Sequence, residues 1–180
     1  MPARRSLPPI VPTPRSARRE EGSFLLAADV PIVLGPDASA VDFETARALQ
    51  GDAEQKAGVR LPIESHREGV APGRHVALRR MPSLPEDAGP GGDEAYRLRV
   101  RPERVEVLAT SSAGLRWGVE TLRQLVDSRG RIPACAVEDA PSIARRGVML
   151  DVSRGKVPKP ETVREIIDLC ARTKQNVLML

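Results

Sequence analysis

Aromatic side chains are almost missing from this chain: one Trp, one Tyr and two Phe among 180 residues. Its core must therefore be built from Leu, Val, Ile and Ala, and little stacking surface is left for single-stranded nucleic acid. Cysteine is equally scarce. Cys135 and Cys170 lie far apart, each inside an apolar run ("IPACAV" and "IIDLCA"), and read as small buried hydrophobes. His66 and His75 stand alone, with no HExxH pattern and no Cys/His spacing, so neither a metal nor a cofactor is expected. No apolar run is long enough to span a membrane. The arginines of the N-terminus are followed by "SLPPIVPTPRS", whose prolines break any signal-peptide core. With Met1 as the true start, the expectation is a cytoplasmic protein without a membrane partner.

Acidic residues are absent from the first nineteen positions, where Arg4, Arg5, Arg15, Arg18 and Arg19 supply five positive charges. The whole chain carries +4, so the rest is close to neutral at −1. A basic tail on a neutral body, without aromatic surface, argues against a nucleic-acid partner. What is present in quantity is aliphatic: 41% of residues are hydrophobic, enough for a real core. The length allows one medium domain, or a small domain plus part of another.

Along the chain, residues 1–19 form a basic Pro/Arg-rich segment expected to be extended. "GSFLLAADVPIVLG" reads as two short strands around a turn at "AAD". Phe43, Ala46, Leu49, Ala53 and Ala57 then recur at helical spacing, with Asp42 as N-cap and Gly58 as the stop. "VRLPI" and "RHVALRRM" read as strands. The stretch from Pro82 to Gly92 holds three prolines and three glycines in eleven positions and reads as a loop. "EAYRLRVRPERVEVLAT" alternates with period two on either side of "RPER", the pattern of a β-hairpin. "SSAGLRWGVETLRQLVD" is an amphipathic helix, with Ser111 or Ser112 as cap and Leu115, Val119, Leu122 and Val126 on one face. Trp117 beside Gly118 suggests tight packing of that helix on a sheet.

After "IPACAVEDAPS" the pattern changes. "RRGVMLDVS" is an apolar strand of the kind buried on both faces. "KPETVREIIDLCARTKQ" is a helix that starts at Pro160 and turns Val163, Ile166, Ile167 and Cys170 inward. "NVLML" is a second apolar strand. Strand, helix, strand with short connections makes a βαβ unit and implies a parallel pair. A bare βαβ unit has nothing to bury its faces, so a truncation after Leu180 is expected.

These last residues resemble the opening of the catalytic barrel in family 20 glycoside hydrolases, the β-N-acetylhexosaminidases. The resemblance rests on Arg146-Gly147, Leu150-Asp151, Ser153-Arg154, and Lys174 with Asn176. Upstream, "PPIVPTPRS", "GSFLLAADVPIVL", "EAYRLRV" and "SSAGLRWGVETLRQLV" are similar to that family's small α/β domain. The likeness runs from about Pro8 to Leu180. It departs from the pattern at Gly155, Lys156 and Val157, where members carry a His and aromatics, and at Ala144 and Arg145.

The implied fold class is α+β. A small N-terminal domain with an antiparallel sheet and two helices (20–140) would precede the first β-α-β of a truncated (β/α)8 barrel (141–180). The implied partner is an N-acetylhexosamine-containing glycan, cleaved with retention by its own 2-acetamido oxygen. The family's Asp-Glu pair would follow the fourth barrel strand, beyond Leu180, so no catalytic residue is expected inside this chain. Asp93 and Glu94, although they follow Gly91 and Gly92 as that motif would, precede the first barrel strand by some fifty residues. Sequence order makes them a solvated turn. The resemblance implies one substrate-binding residue, Arg146, whose fork of donors suits two adjacent sugar hydroxyls. Asp151 and Arg154 are expected near the site mouth as a structural pair. Two other readings stay open: a non-catalytic binding or regulatory module, and a related glycosidase of the O-GlcNAcase or α-glucuronidase type.

Overall fold

A computed structural model of the chain describes residues 6–66, 73–84, 92–153, 155 and 157–180. It divides into two compact units, Met1–Ala140 and Pro141–Leu180.

The first unit is a seven-stranded sheet with two helices. Its strands are β1 (Ser16–Leu25), β2 (Ile32–Leu34), β3 (Ile63–Ser65), β4 (His75–Arg80), β5 (Tyr96–Val100), β6 (Arg104–Ala109) and β7 (Arg131–Asp139). They lie in the order β1-β7-β5-β6-β4-β2-β3. The expected antiparallel sheet is corrected to a mixed one. β1–β7, β5–β7 and β5–β6 are antiparallel, whereas β4–β6, β2–β4 and β2–β3 are parallel. Alternating hydrophobicity gives a strand its faces but not its direction. Here direction follows from the connections, because a helix returns the chain from β2 to β3.

That helix, α1 (Ala40–Ala57), starts one turn earlier than expected. Its N-cap is Ser39, not Asp42. The Ser39 hydroxyl accepts from the Asp42 N–H, and the Asp42 carboxylate reaches back to the Ser39 N–H at 2.8 Å, which closes a capping box. Gly58 ends the helix as expected, in the left-handed region at φ +67. Phe43, expected on the inner face, is exposed; Ala46, Leu49 and Ala53 are fully buried. Helix α2 (Ser112–Leu125) is capped by Ser111 and lies on the same face of the sheet as α1.

Two glycines let α2 approach the β5–β6 hairpin. A Cβ on Gly118 would stand 2.4 Å from Val107 Cγ1, and one on Gly114 would stand 2.4 Å from the Ala95 carbonyl. The tight packing read from Trp117 and Gly118 is therefore real, and Trp117 is buried. Leu98, Val105 and Val107 of the hairpin meet Leu115, Val119 and Leu122 of the helix in one core, all of them at most 2% exposed. Each such aliphatic side chain contributes about 1.5–3 kcal/mol by leaving water.

Two strands are only partly legible, or not legible, in the sequence. β1 ends within the "GSFLL" strand read from the sequence but begins at Ser16, inside the segment expected to be an extended tail, and runs ten residues along the sheet edge. β7 occupies "RIPACAVED", which reads only as a passage between domains, and pairs on both sides. Its Pro133 lies opposite Ser23, where the β1 register shifts and the ladder is already irregular.

The second unit contains β8 (Gly147–Met149), α3 (Pro160–Arg172) and β9 (Val177–Met179). β8 and β9 are parallel, as the βαβ pattern requires. The expectation of buried strands fails here: all three residues of β8 are exposed. Cys170 is the one buried residue of α3, whereas Ile167 is half exposed. No helix among the described residues is long and apolar enough to cross a membrane.

Candidate functional site

The chain enters β8 through a knot of hydrogen bonds. A Cβ at Gly147 would fall 1.9 Å from the Val177 carbonyl oxygen, so only glycine lets β8 and β9 start side by side. Arg146 stands immediately before it. Its N–H donates to Asn176 Oδ1 at 2.9 Å, and its carbonyl accepts from the N–H groups of Asn176 (2.8 Å) and Val177 (3.0 Å). The Asn176 amide nitrogen donates to the Ala144 carbonyl at 2.8 Å. The Arg146 guanidinium donates from Nε to the Lys174 carbonyl (3.0 Å) and from Nη1 to those of Ile143 (2.6 Å) and Ala144 (3.3 Å). Lys174 adopts φ 57, which turns the chain from α3 into β9.

Arg146 therefore immediately precedes β8, with its Nε and Nη1 donors turned onto carbonyls of the chain itself. The resemblance implies a substrate contact for Arg146; in this chain its Nε and Nη1 hold the start of β8 against the turn into β9.

At the C-terminal end of these strands lies an open pocket of about 250 Å³, lined by Met149 to Ser153, Met179 and Leu180. Among the described residues, Asp151 is the single titratable one that lines it. Its Oδ1 accepts from the Ser153 N–H at 2.8 Å and from the Ser153 hydroxyl at 2.5 Å. The Ser153 hydroxyl, followed by its N–H, holds the Asp151 carboxyl below the usual carboxylate range. A carboxylate so tied stays ionised and accepts hydrogen bonds; it is unsuited to be a general acid. Arg154, the other residue expected at this mouth, lies outside the described residues.

The paired acids of unit 1 are elsewhere. Gly92 to Ala95 forms a turn closed by the Ala95 N–H on the Gly92 carbonyl at 3.0 Å, with Asp93 exposed at its tip. The Asp93 carbonyl accepts from the Ser111 hydroxyl, so this turn abuts the start of α2. A second cavity of about 400 Å³, lined by Ser6 to Ile10, Thr13, Pro14, Ala17 and Arg19, is formed by the N-terminal segment alone. Among the described residues no three His, Cys, Asp or Glu side chains converge as a metal site would require.

The family is settled by comparison. The family model described as glycosyl hydrolase family 20, domain 2, matches residues 7–140, and the chain belongs to that family. It is 39% identical over 177 residues to a β-N-acetylhexosaminidase of Cellulomonas fimi, a match that takes in 95% of this chain and 34% of that protein. Among solved structures, a mutant Streptomyces plicatus β-hexosaminidase in complex with its product GlcNAc is similar with a TM-score of 0.76 and 30% identity, over 94% of this chain and 33% of that one. A family 20 β-N-acetylglucosaminidase is similar with a TM-score of 0.69 and 34% identity, over 96% of this chain and 30% of that one. The chain thus spans about a third of the length of these relatives.

Proposed function

We propose that this chain is part of a β-N-acetylhexosaminidase, with unit 1 as a domain in front of the catalytic part and residues 141–180 as the first strand, helix and second strand of a (β/α)8 barrel. One observation carries the reading: the family 20 domain match over residues 7–140 is followed directly by a parallel β8–α3–β9 unit. A parallel strand pair with a crossover helix is the repeating element of such a barrel. The names of the relatives supply the substrate class, terminal N-acetylhexosamine, and the Streptomyces plicatus complex holds GlcNAc.

The chemistry of that class needs two neighbouring acids and no metal. One carboxylic acid, kept protonated by its surroundings, gives its proton to the leaving oxygen. The second accepts the acetamido N–H as the acetamido oxygen attacks the anomeric carbon, and stabilises the positive charge that develops. Neither Asp151, tied to Ser153, nor the exposed Asp93 is placed for these roles. The acid pair belongs to residues outside this chain, and residues 1–180 alone should leave N-acetylhexosaminides uncleaved.

Intact mass of the native protein from its source cells, with an assay on 4-nitrophenyl N-acetyl-β-D-glucosaminide, tests the proposal. A barrel takes about 250 residues. A mass well over twice that of this chain, with cleavage, is the expected result. A native mass of 19.5 kDa would overturn the enzyme reading in favour of a binding module.

A further inference from the structure

The segment before β1 is fastened to unit 1 at few points. Of residues 6–15 only Ile10 is buried, and Leu7 packs against the core in part. Val11, although 56% exposed, is held through its backbone. Its N–H donates to Gln124 Oε1 of α2 and its carbonyl accepts from Gln124 Nε2, both at 2.8 Å. Arg15 makes the second attachment. Its N–H donates to Asp139 Oδ1 at 3.3 Å, and its Nε to the Ala140 carbonyl at 2.7 Å. The same segment lines the open cleft of about 400 Å³, so much of its inner side meets space instead of packed side chains. Few buried apolar contacts and solvent-exposed hydrogen bonds are the marks of a part that opens at lower free energy than the core.

Arg15 grips the end of unit 1, because Asp139 is the last residue of β7 and Ala140 the last of the unit. On the core side, Asp139 Oδ2 accepts from the buried Tyr96 hydroxyl at 3.1 Å, which meets Thr121 Oγ1 at 2.6 Å. Ser16, next in the chain after Arg15, pairs with Glu138. The segment, the start of β1 and the end of β7 thus converge on one spot.

We propose that residues 6–15 are a latch that opens as one unit with the start of β1 and the end of β7, while the rest of the core stays folded. Closed, the latch fixes the point from which the chain leaves unit 1. Open, it gives up both Arg15 bonds at that point, and the exit is held through Tyr96 and the β5–β7 ladder. The two attachments lie on different elements, Gln124 on α2 and Asp139 on β7. A latch therefore makes a distinctive demand: cutting either attachment must loosen the other.

Residue-resolved hydrogen exchange on the 180-residue chain tests this, read at the amides of position 11, position 15 and Glu138. In the parent chain these three should exchange with one common protection, at least tenfold below that of the β5–β6 hairpin. Gln124→Ala should speed exchange at position 15 and at Glu138 about as much as at Val11, by about fivefold, the effect of losing hydrogen bonds of ordinary strength. Arg15→Ala should do the same at Val11, although it leaves Gln124 in place. Both variants should keep the parent's slow β5–β6 amides and buried Trp117 signal, and Arg15 is exposed, so its truncation leaves the core intact. Arg47→Ala, in an exposed pair of α1, should change none of the three amides. The latch is overturned if each substitution loosens only its own attachment. It is equally overturned if the three amides of the parent exchange as slowly as the hairpin, because the segment then opens only when the whole unit unfolds.

Discussion

Glu120 of α2 is only 1% exposed, yet it holds a charge among three others. Its carboxylate accepts from Arg123 Nη1 at 2.8 and 2.9 Å and from Arg116 Nε at 2.9 Å, while Arg123 also reaches Asp52 of α1 at 3.3 Å. A buried pair is weak evidence for stability, but breaking it leaves a charge unmatched. Glu120→Gln should lower unfolding free energy by about 3 kcal/mol in urea titrations, far more than an exposed pair such as Arg47–Glu44 would cost. Cys135 shows a different consequence of burial. Loss of solvent pushes its thiol up to about 12, with Arg19 opposing and Glu20 reinforcing the shift. A group whose folded value is raised stabilises the fold fully below its unfolded value, here near 9, and the benefit is lost as pH rises towards 12. Stability should therefore fall between pH 9 and 12 by on the order of 1 kcal/mol per pH unit, and less steeply in Cys135→Val. At Asp151 the shift runs the other way. Its carboxyl should titrate below an ordinary Asp by NMR, and Ser153→Ala should bring it back up.

At the scale of elements, the α1–α2 pair is held by its ends as much as by its core. Lys56 Nζ donates to the Arg123 carbonyl in the last turn of α2 at 2.6 Å, and the Ser39 and Ser112 hydroxyls meet at 3.1 Å at the opposite ends. Ser39→Ala should cost about 1 kcal/mol through the lost capping box, visible as a lower Tm. Gly118→Ala should cost about 1–3 kcal/mol, because the new methyl meets Val107 and the Tyr96 ring at 2.4 and 3.1 Å. In the second unit, Arg146→Ala in the complete enzyme separates two roles. Loss of the chain-holding bonds predicts a lower Tm and loosened β8–β9 amides in hydrogen exchange, with kcat/KM of the remaining folded enzyme nearly unchanged. A large fall in kcat/KM at unchanged Tm would instead support the substrate contact that the resemblance implies.

On the scale of the whole molecule, the two units have unequal means. The first has a continuous aliphatic core and fits a family domain over residues 7–140; the second has one buried residue on its helix. A chain ended at Ala140 should keep a cooperative urea transition and the buried Trp117 signal. Loss of both would show that unit 1 depends on residues 141–180 for its fold.

The residues themselves determined the aliphatic core, the hairpin with Tyr96, Leu98 and Val100 inward, the two amphipathic helices of unit 1, the stop at Gly58 and the βαβ character of the end. Each arises from a local period or a single residue's backbone freedom, which the chain carries wherever it is placed. Tertiary structure decided the rest. It set parallel against antiparallel, because strand direction is fixed by connections across the sheet. It made "RIPACAVED" an inner strand paired to both β1 and β5, with Pro133 accommodated opposite Ser23, where the β1 register shifts. And it set the partners of the Arg146 guanidinium, because folding brings to it the Ile143, Ala144 and Lys174 carbonyls, the last from 28 residues away.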